Sequence, residues 1–204
     1  MKQQIKSALA VSSAVVAVVG LALVPTVNVD AITVNPTVRA IVGATITMTT
    51  TSQGTSSNVD LGLTPGASPV LTSASDVITV NTNDTLGYLL TLADADATET
   101  LTSGGNSIAA SANTSAAPAA LATNTWGFAL PGGPFDATYT VESNATASAT
   151  KWAKIPSTGT PFTLKSTAIT ATNDTTTVWY AAKIDSTKPT GTYTDQVVYT
   201  ATAK

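Results

Sequence analysis

The sequence contains no cysteine and no histidine. These absences exclude disulfide bonds, Ser-His-Asp and Cys-His nucleophilic systems and the commonest zinc sites. Ser–Lys catalysis needs neither residue and stays open on composition, but nothing in the chain indicates a cofactor. We therefore predict a protein that is not an enzyme and that has no cofactor. Its fold must depend on hydrophobic burial and strand pairing, because no disulfide is available to it.

Charged residues are also scarce, at 10% of the chain, and the net charge is −3. A slightly acidic surface without a basic cluster repels nucleic acid and anionic lipid, so neither is an expected partner. Threonine, serine, asparagine and alanine dominate instead. This composition suits a neutral, hydroxyl-covered β surface that works outside the cell.

The N-terminus has the organisation of a secretory signal peptide. Two lysines precede an apolar run over residues 8–24, and Ala31 ends a small-residue cleavage site. We predict a signal helix over residues 1–31 and a single β-sandwich domain over residues 32–204. The product is then secreted or held at the cell surface, with no membrane contact after cleavage. An uncleaved anchor is the alternative, because the run is close to the minimum length of a membrane span.

Alternating apolar and polar residues predict β-strands along most of the chain after residue 31. The closing stretch contains two such strands. One face of the first carries Val178, Tyr180, Ala182 and Ile184, and one face of the second carries Tyr193, Val197, Tyr199 and Ala201. Other strands are predicted over residues 42–50, 76–81, 86–92, 125–130 and 162–169, with a long loop containing one short strand over 93–124. Residues 136–142 fit either strand or loop. Eight to ten short strands indicate an all-β fold, an antiparallel, Ig-like β-sandwich.

Asp94, Asp96 and Glu99 form an acidic cluster in the sequence DADATE. Alternating carboxylates in a loop can supply the oxygen ligands that Ca²⁺ prefers, so these three residues are the candidate calcium site. No glycine stands at the turn position of an EF-hand loop. A solvated turn without a metal therefore remains the alternative.

Three tryptophans, Trp126, Trp152 and Trp179, could line a carbohydrate-binding platform if their rings were exposed. Trp126 lies in an apolar strand and is predicted to be core. Trp179 falls on the face opposite Val178 and Tyr180, so it is the candidate contact for a glycan.

Tyr193 follows Gly191 at the entrance of the last strand. This placement is typical of a tyrosine corner, in which the hydroxyl bonds to nearby backbone. We therefore predict a structural role for both residues.

Several motifs in this order resemble those of a known group of proteins. The motifs are VITVNTN at 77–83, GYLLTL at 87–92, WGFAL at 126–130, Trp152 with Ile155 and Pro156, YAAKID at 180–185, PTGTY at 189–193 and VVYTA at 197–201. Together they resemble secreted, mostly uncharacterised β-sandwich surface proteins of candidate-phylum bacteria of the Saccharibacteria type. The resemblance implies an extracellular all-β protein without enzymatic activity, associated with the cell surface or an appendage.

The expected function is that of a non-enzymatic surface protein, structural or adhesive. One concrete form is a fibre or pilus subunit, in which the segment 32–38 adds a strand to a neighbouring copy. Self-association or contact with other surface proteins is then the expected partnership. The alternative is a carbohydrate- or cell-wall-binding module that uses exposed tryptophan.

Overall fold

The computed structural model describes residues 36–52 and 58–204. The chain divides into two units, Met1–Ile41 and Val42–Lys204. Of the first unit, residues 36–41 are described, and they have no regular secondary structure. The predicted signal helix and the first part of the segment 32–38 lie outside the described residues.

The described residues of the second unit form nine strands, which confirms the prediction of an all-β fold. They are β1 (Ile46–Thr50), β2 (Val70–Thr82), β3 (Tyr88–Asp94), β4 (Leu101–Ser103), β5 (Asn106–Ala110), β6 (Thr125–Ala129), β7 (Phe162–Ser166), β8 (Ala171–Ile184) and β9 (Val197–Ala203). Six form a sheet in the order β1-β2-β8-β6-β5-β4, and three form a sheet in the order β7-β3-β9. The two closing strands, β8 and β9, therefore belong to different sheets.

The long ladder between β2 and β8 is the centre of the six-stranded sheet. It is antiparallel and runs from Val70 opposite Ile184 to Thr82 opposite Ala171. These strands have 13 and 14 residues and are longer than the short strands expected. The expected antiparallel pairing holds for the strand pairs of the described residues except β5 and β6, which run parallel. Residues 111–124 carry the chain back between them, as a parallel pair requires a crossover.

Large apolar side chains of the two sheets meet in one core. Ile78, Val80, Leu90, Leu92 and Val178 are all 0% exposed and come from β2, β3 and β8. Each sits at an alternate position of its strand, as burial of one sheet face requires.

Polar and aromatic contacts also join the two sheets across this core. The hydroxyls of Tyr180 and Tyr199 lie 2.6 Å apart, and the Tyr88 hydroxyl donates to Asp174 Oδ2 at 2.8 Å. The rings of Phe128 and Phe162 pack edge to face at 5.4 Å between centroids.

A second apolar layer covers the other side of the six-stranded sheet. Trp152 is completely buried, and its neighbour Ala153 exchanges two backbone hydrogen bonds with Phe128 of β6. Tyr139 stacks on Trp179 at 6.1 Å and meets Trp152 edge to face at 5.1 Å. This layer explains why β8 is buried on both faces from residue 178 to residue 182.

One predicted loop contains more strand than expected, and the choice left open for residues 136–142 is decided. Residues 93–124 contain the hairpin β4–β5, which turns at Gly104 with a φ of 57°. Residues 136–142 form no strand in the structure, although the Ser73 backbone N–H donates to the Glu142 carbonyl at 2.9 Å. That contact places the end of the segment beside the edge of β2.

Candidate functional site

Three aspartates converge where β3 ends and β9 begins. Asp94 is the last residue of β3, Asp96 follows it in the loop, and Asp195 stands two residues before β9. One carboxylate oxygen from each lies within 4.8 Å of the other two. We call these three residues the aspartate cluster.

Short local turns hold one oxygen of each carboxylate. The Asp96 backbone N–H donates to Asp94 Oδ1 at 2.8 Å, and the Thr98 backbone N–H donates to Asp96 Oδ1 at 2.7 Å. The Gln196 backbone N–H donates to Asp195 Oδ1 at 2.8 Å. Aspartate favours such turns because its side chain reaches the backbone N–H of a following residue.

Backbone hydrogen bonds bring the distant third aspartate into place. Ala95 donates to the Gln196 carbonyl at 3.0 Å, which extends the β3–β9 ladder past the end of β3. Thr102 and Thr194 exchange two backbone hydrogen bonds at 2.9 and 3.0 Å. The loop after β3 is thereby fixed beside the start of β9.

Two oxygens of the aspartate cluster have no hydrogen-bond donor. Asp94 is only 1% exposed, and no N–H or O–H group reaches its Oδ2 or the Oδ2 of Asp195, both of which are buried. The Asp94 and Asp195 side chains are within hydrogen-bond distance of each other, so they can bond to each other only if one of them is protonated. A buried carboxylate oxygen without a partner is costly, so it requires an explanation.

Asp76 provides the contrast within the same protein. It is also 1% exposed, but Thr51 Oγ1 donates to its Oδ1 at 2.8 Å and Ser52 Oγ donates to its Oδ2 at 2.9 Å. The Ser52 backbone N–H adds a third hydrogen bond at 3.0 Å. Both buried oxygens of Asp76 therefore have hydrogen-bond donors, whereas two buried oxygens of the aspartate cluster have none.

Burial and mutual repulsion perturb the aspartate cluster. Desolvation raises the pKa of Asp94, and the charges of Asp96 and Glu99 add to this rise. Desolvation, with the nearby charges of Asp94 and Asp96, raises the pKa of Asp195 to about 6. Hydrogen bonds from Thr98 instead lower the pKa of Asp96. The site therefore disfavours three bare negative charges.

The structure brings together two of the three residues proposed for calcium. Asp94 and Asp96 are in the cluster, whereas Asp195 occupies the place expected for Glu99. The Glu99 backbone carbonyl accepts a hydrogen bond from Trp126 Nε1 at 3.1 Å. Asp195 was missed because it lies about a hundred residues further along the chain. Only its position directly before a strand that pairs with β3 could have indicated it.

The three tryptophans offer no exposed platform. Trp126 is 4% exposed, Trp152 is 0% and Trp179 is 9%. Trp179 lies under Tyr139, so the expected exposed contact for a glycan at this residue is wrong. Trp126 lies in the core.

Tyr193 makes the kind of contact that a tyrosine corner requires. Its hydroxyl donates to the Pro189 carbonyl, four residues upstream, at 2.8 Å. Gly191 lies against β4, and a Cβ there would stand 2.6 Å from Ser103 Oγ.

Replacing Tyr193 by phenylalanine should lower the free energy of unfolding by about 1 kcal/mol, because one hydrogen bond is lost while the ring remains. Urea denaturation followed by tryptophan fluorescence measures this change. Thr158→Val, at an exposed turn position, is the control and should be within about 0.5 kcal/mol of the parent. A midpoint for Tyr193→Phe equal to that of the control would show that the hydroxyl has no structural role.

Ser148 and Lys151 have the Ser-x-x-Lys spacing that Ser–Lys catalysis uses, and the composition of the chain does not exclude such catalysis. Ser148 Oγ donates to Glu142 Oε1 at 3.0 Å. The Lys151 ammonium instead lies 3.7 Å from Asp136 Oδ1. Serine and lysine thus have separate acidic partners in this structure.

A shallow depression of about 350 Å³ lies beside β1, the end of β2 and the start of β8. Its lining consists of threonine, asparagine and alanine. The Asn83 side chain accepts from the Thr45 backbone N–H at 2.6 Å and donates to the Gly43 carbonyl at 2.9 Å. The Asn81 side chain accepts from the Asn173 backbone N–H at 2.6 Å. These amides are engaged in holding the fold.

Comparison with protein-family models, with curated proteins and with solved structures found no match in any of the three. Within residues 36–52 and 58–204, no helix has the length and apolar character needed to cross a membrane.

Proposed function

We propose that this is an exported, non-enzymatic surface protein with an Ig-like β-sandwich fold, which assembles into fibres by strand addition. The segment 32–41 of one copy supplies the added strand. The outer edge of β9 in the next copy receives it. The low charge and the hydroxyl-rich composition support a structural or adhesive role outside the cell.

The observation that carries this proposal is the outer edge of β9, which forms no ladder within the described residues, although β1 of the larger sheet lies near β9. In the described part of the chain, β9 pairs only with β3. Lys204 N–H donates to the Gly87 carbonyl, and Ala95 N–H donates to the Gln196 carbonyl. These two bonds show that the even-numbered residues of this antiparallel ladder bond to β3. Val197, Tyr199, Ala201 and Ala203 consequently direct their backbone N–H and C=O groups away from β3.

The residues of β9 do nothing to block a new strand. Natural sheets protect open edges with lysine, proline or bulges, but β9 reads VVYTATA and contains no charge and no proline. An extended peptide could therefore add seven residues of ladder there, with main-chain hydrogen bonds supplying the affinity.

The described part of the proposed donor, residues 36–41, is exposed and has no regular structure. Val38 is 94% exposed and Ile41 is 79% exposed. Apolar side chains on an extended segment are suited to an edge that offers a half-buried face, since they would leave water on pairing.

Size-exclusion chromatography with complementary variants tests the proposal. The full chain should self-associate at high micromolar concentration. Deletion of residues 32–41 removes the donor, and Ala201→Pro removes an outward N–H of β9 without touching its ladder with β3. Each variant alone should elute as a monomer with a parent-like circular dichroism spectrum.

An equimolar mixture of the two variants should form a heterodimer, because one retains the acceptor edge and the other retains the donor. A monomeric full chain would contradict the proposal. So would a mixture that remains monomeric while both variants are folded.

A further inference from the structure

We propose that Asp94, Asp96 and Asp195 bind a Ca²⁺ ion, which links the loop after β3 to the start of β9. The proposal does not depend on fibre assembly, since it concerns a site within one copy of the chain. It is based on the unpaired buried oxygens, on the charge of the cluster and on the way its backbone is held.

The unpaired oxygens are the primary observation. Asp94 is only 1% exposed, and no donor reaches its Oδ2. A second buried carboxylate oxygen without a donor, Asp195 Oδ2, belongs to the same cluster. The two side chains approach within hydrogen-bond distance, so a cation or a shared proton is needed between them. Asp76 shows that this chain can provide donors for both oxygens of a buried carboxylate.

No basic side chain neutralises the cluster among the described residues. The ion pairs found there are Lys151 with Asp136 and Lys165 with Asp174, both at other places. Three carboxylates within 4.8 Å of one another repel, and a cation would convert this repulsion into attraction.

The donor set selects a hard cation. Carboxylate oxygens suit Ca²⁺, Mg²⁺ and Mn²⁺, whereas softer metals prefer imidazole or thiolate, which this chain lacks. Ca²⁺ accepts an irregular set of six to eight oxygens, whereas Mg²⁺ demands a near-ideal octahedron. The cluster combines the last residue of β3, one loop residue and one residue from a distant strand entrance. Such an irregular set, with backbone carbonyls and water completing the shell, fits Ca²⁺ better.

The backbone around the cluster is already positioned for binding. Each carboxylate has one oxygen fixed by a backbone N–H, so the other oxygen can turn toward an ion at little entropic cost. Thr102 and Thr194 hold the loop and the strand entrance together before any ion binds. Ca²⁺ would then act as a cross-link that stabilises the folded state.

Thermal unfolding of the full chain in EGTA and in Ca²⁺ provides the test. Extracellular calcium modules bind with dissociation constants of about 10⁻⁴–10⁻³ M, so roughly 10 mM Ca²⁺ should raise the midpoint by about 3–10 °C. The same concentration of Mg²⁺ should give a smaller rise. Tb³⁺ should bind with sensitised luminescence that Ca²⁺ displaces, since the Trp126 indole contacts the backbone of Glu99 beside the cluster.

Asp195→Asn should abolish most of the Ca²⁺-dependent rise. In EGTA its midpoint should equal or exceed that of the parent, because one repelling charge has been removed. Asp96→Asn, at an exposed position, should behave in the same way and covers the case in which the first variant fails to fold. Asp60→Asn is the matched control, an exposed aspartate outside the cluster, and should keep the full response.

No Ca²⁺-dependent rise in the parent would overturn the proposal, and the pair Asp94–Asp195 would then be one that shares a proton. Loss of the response in Asp60→Asn would also overturn it, since binding would then be non-specific. Parent-like responses in both cluster variants would have the same consequence.

Discussion

Replacing Gly127 by alanine should lower the free energy of unfolding by about 3 kcal/mol and the thermal midpoint by about 6–12 °C. A Cβ at this residue of β6 would stand 2.2 Å from the Ala153 backbone carbonyl oxygen. That oxygen accepts the Phe128 backbone N–H at 2.8 Å, and the Ala153 N–H returns a bond to Phe128 at 2.8 Å. The methyl group must therefore separate the second apolar layer from β6.

Gly159→Ala is the control for this experiment. An added Cβ at Gly159 meets nothing within 4 Å, so its midpoint should stay close to that of the parent. Differential scanning calorimetry of both variants measures the difference. Equal midpoints for Gly127→Ala and Gly159→Ala would contradict the close approach of residue 153 to β6.

Replacing Trp152 by alanine should destabilise the protein by about 3–5 kcal/mol, the usual cost of removing a large buried ring. Trp152 is 0% exposed, its Nε1–H donates to Thr150 Oγ1 at 2.8 Å, and its ring supports Tyr139. Loss of the indole would leave a cavity under Tyr139 and expose Trp179. Urea denaturation measures the change in free energy, and acrylamide quenching of tryptophan fluorescence reports the exposure of the remaining indoles.

Trp152→Phe should cost less than half as much, because the apolar ring is retained. Ile169→Ala, at a residue 71% exposed, should change stability by no more than about 0.5 kcal/mol. If Trp152→Ala were as stable as Ile169→Ala, the layer over the outer face of β8 would not be a second core.

Strands with a clear period of two were predictable from the sequence. The strands expected over residues 86–92, 125–130 and 162–169 correspond to β3, β6 and β7 within a few residues. The first half of β2 was not predictable from the sequence. Residues 70–73, VLTS, are buried on both faces and so show no alternation of apolar and polar residues. Residues 142–145 pair with the edge of this half of β2 through backbone hydrogen bonds to Leu71 and Ser73, across some seventy positions of the chain.

The site was predictable only where it is local in sequence. Asp94 and Asp96 belong to one turn, and a short pattern of carboxylates indicated them. Asp195 joins them through strand pairing, which no local pattern encodes. The burial of Trp179 depends in the same way on Tyr139, a residue of a segment without regular structure. Contacts between distant parts of the chain decide both the place of Asp195 and the burial of Trp179, and neither can be predicted from composition or local pattern.

The central ladder has a consequence for how the protein is made. Residues 70–82 pair with residues 171–184, so the middle of the larger sheet cannot close until residue 184 has been synthesised. Such non-local topologies fold slowly, and their unpaired strands remain open to wrong partners in the meantime. A chain truncated before residue 171 would have no β8, the strand against which β2 and β6 both align, and should therefore aggregate rather than form a smaller stable domain.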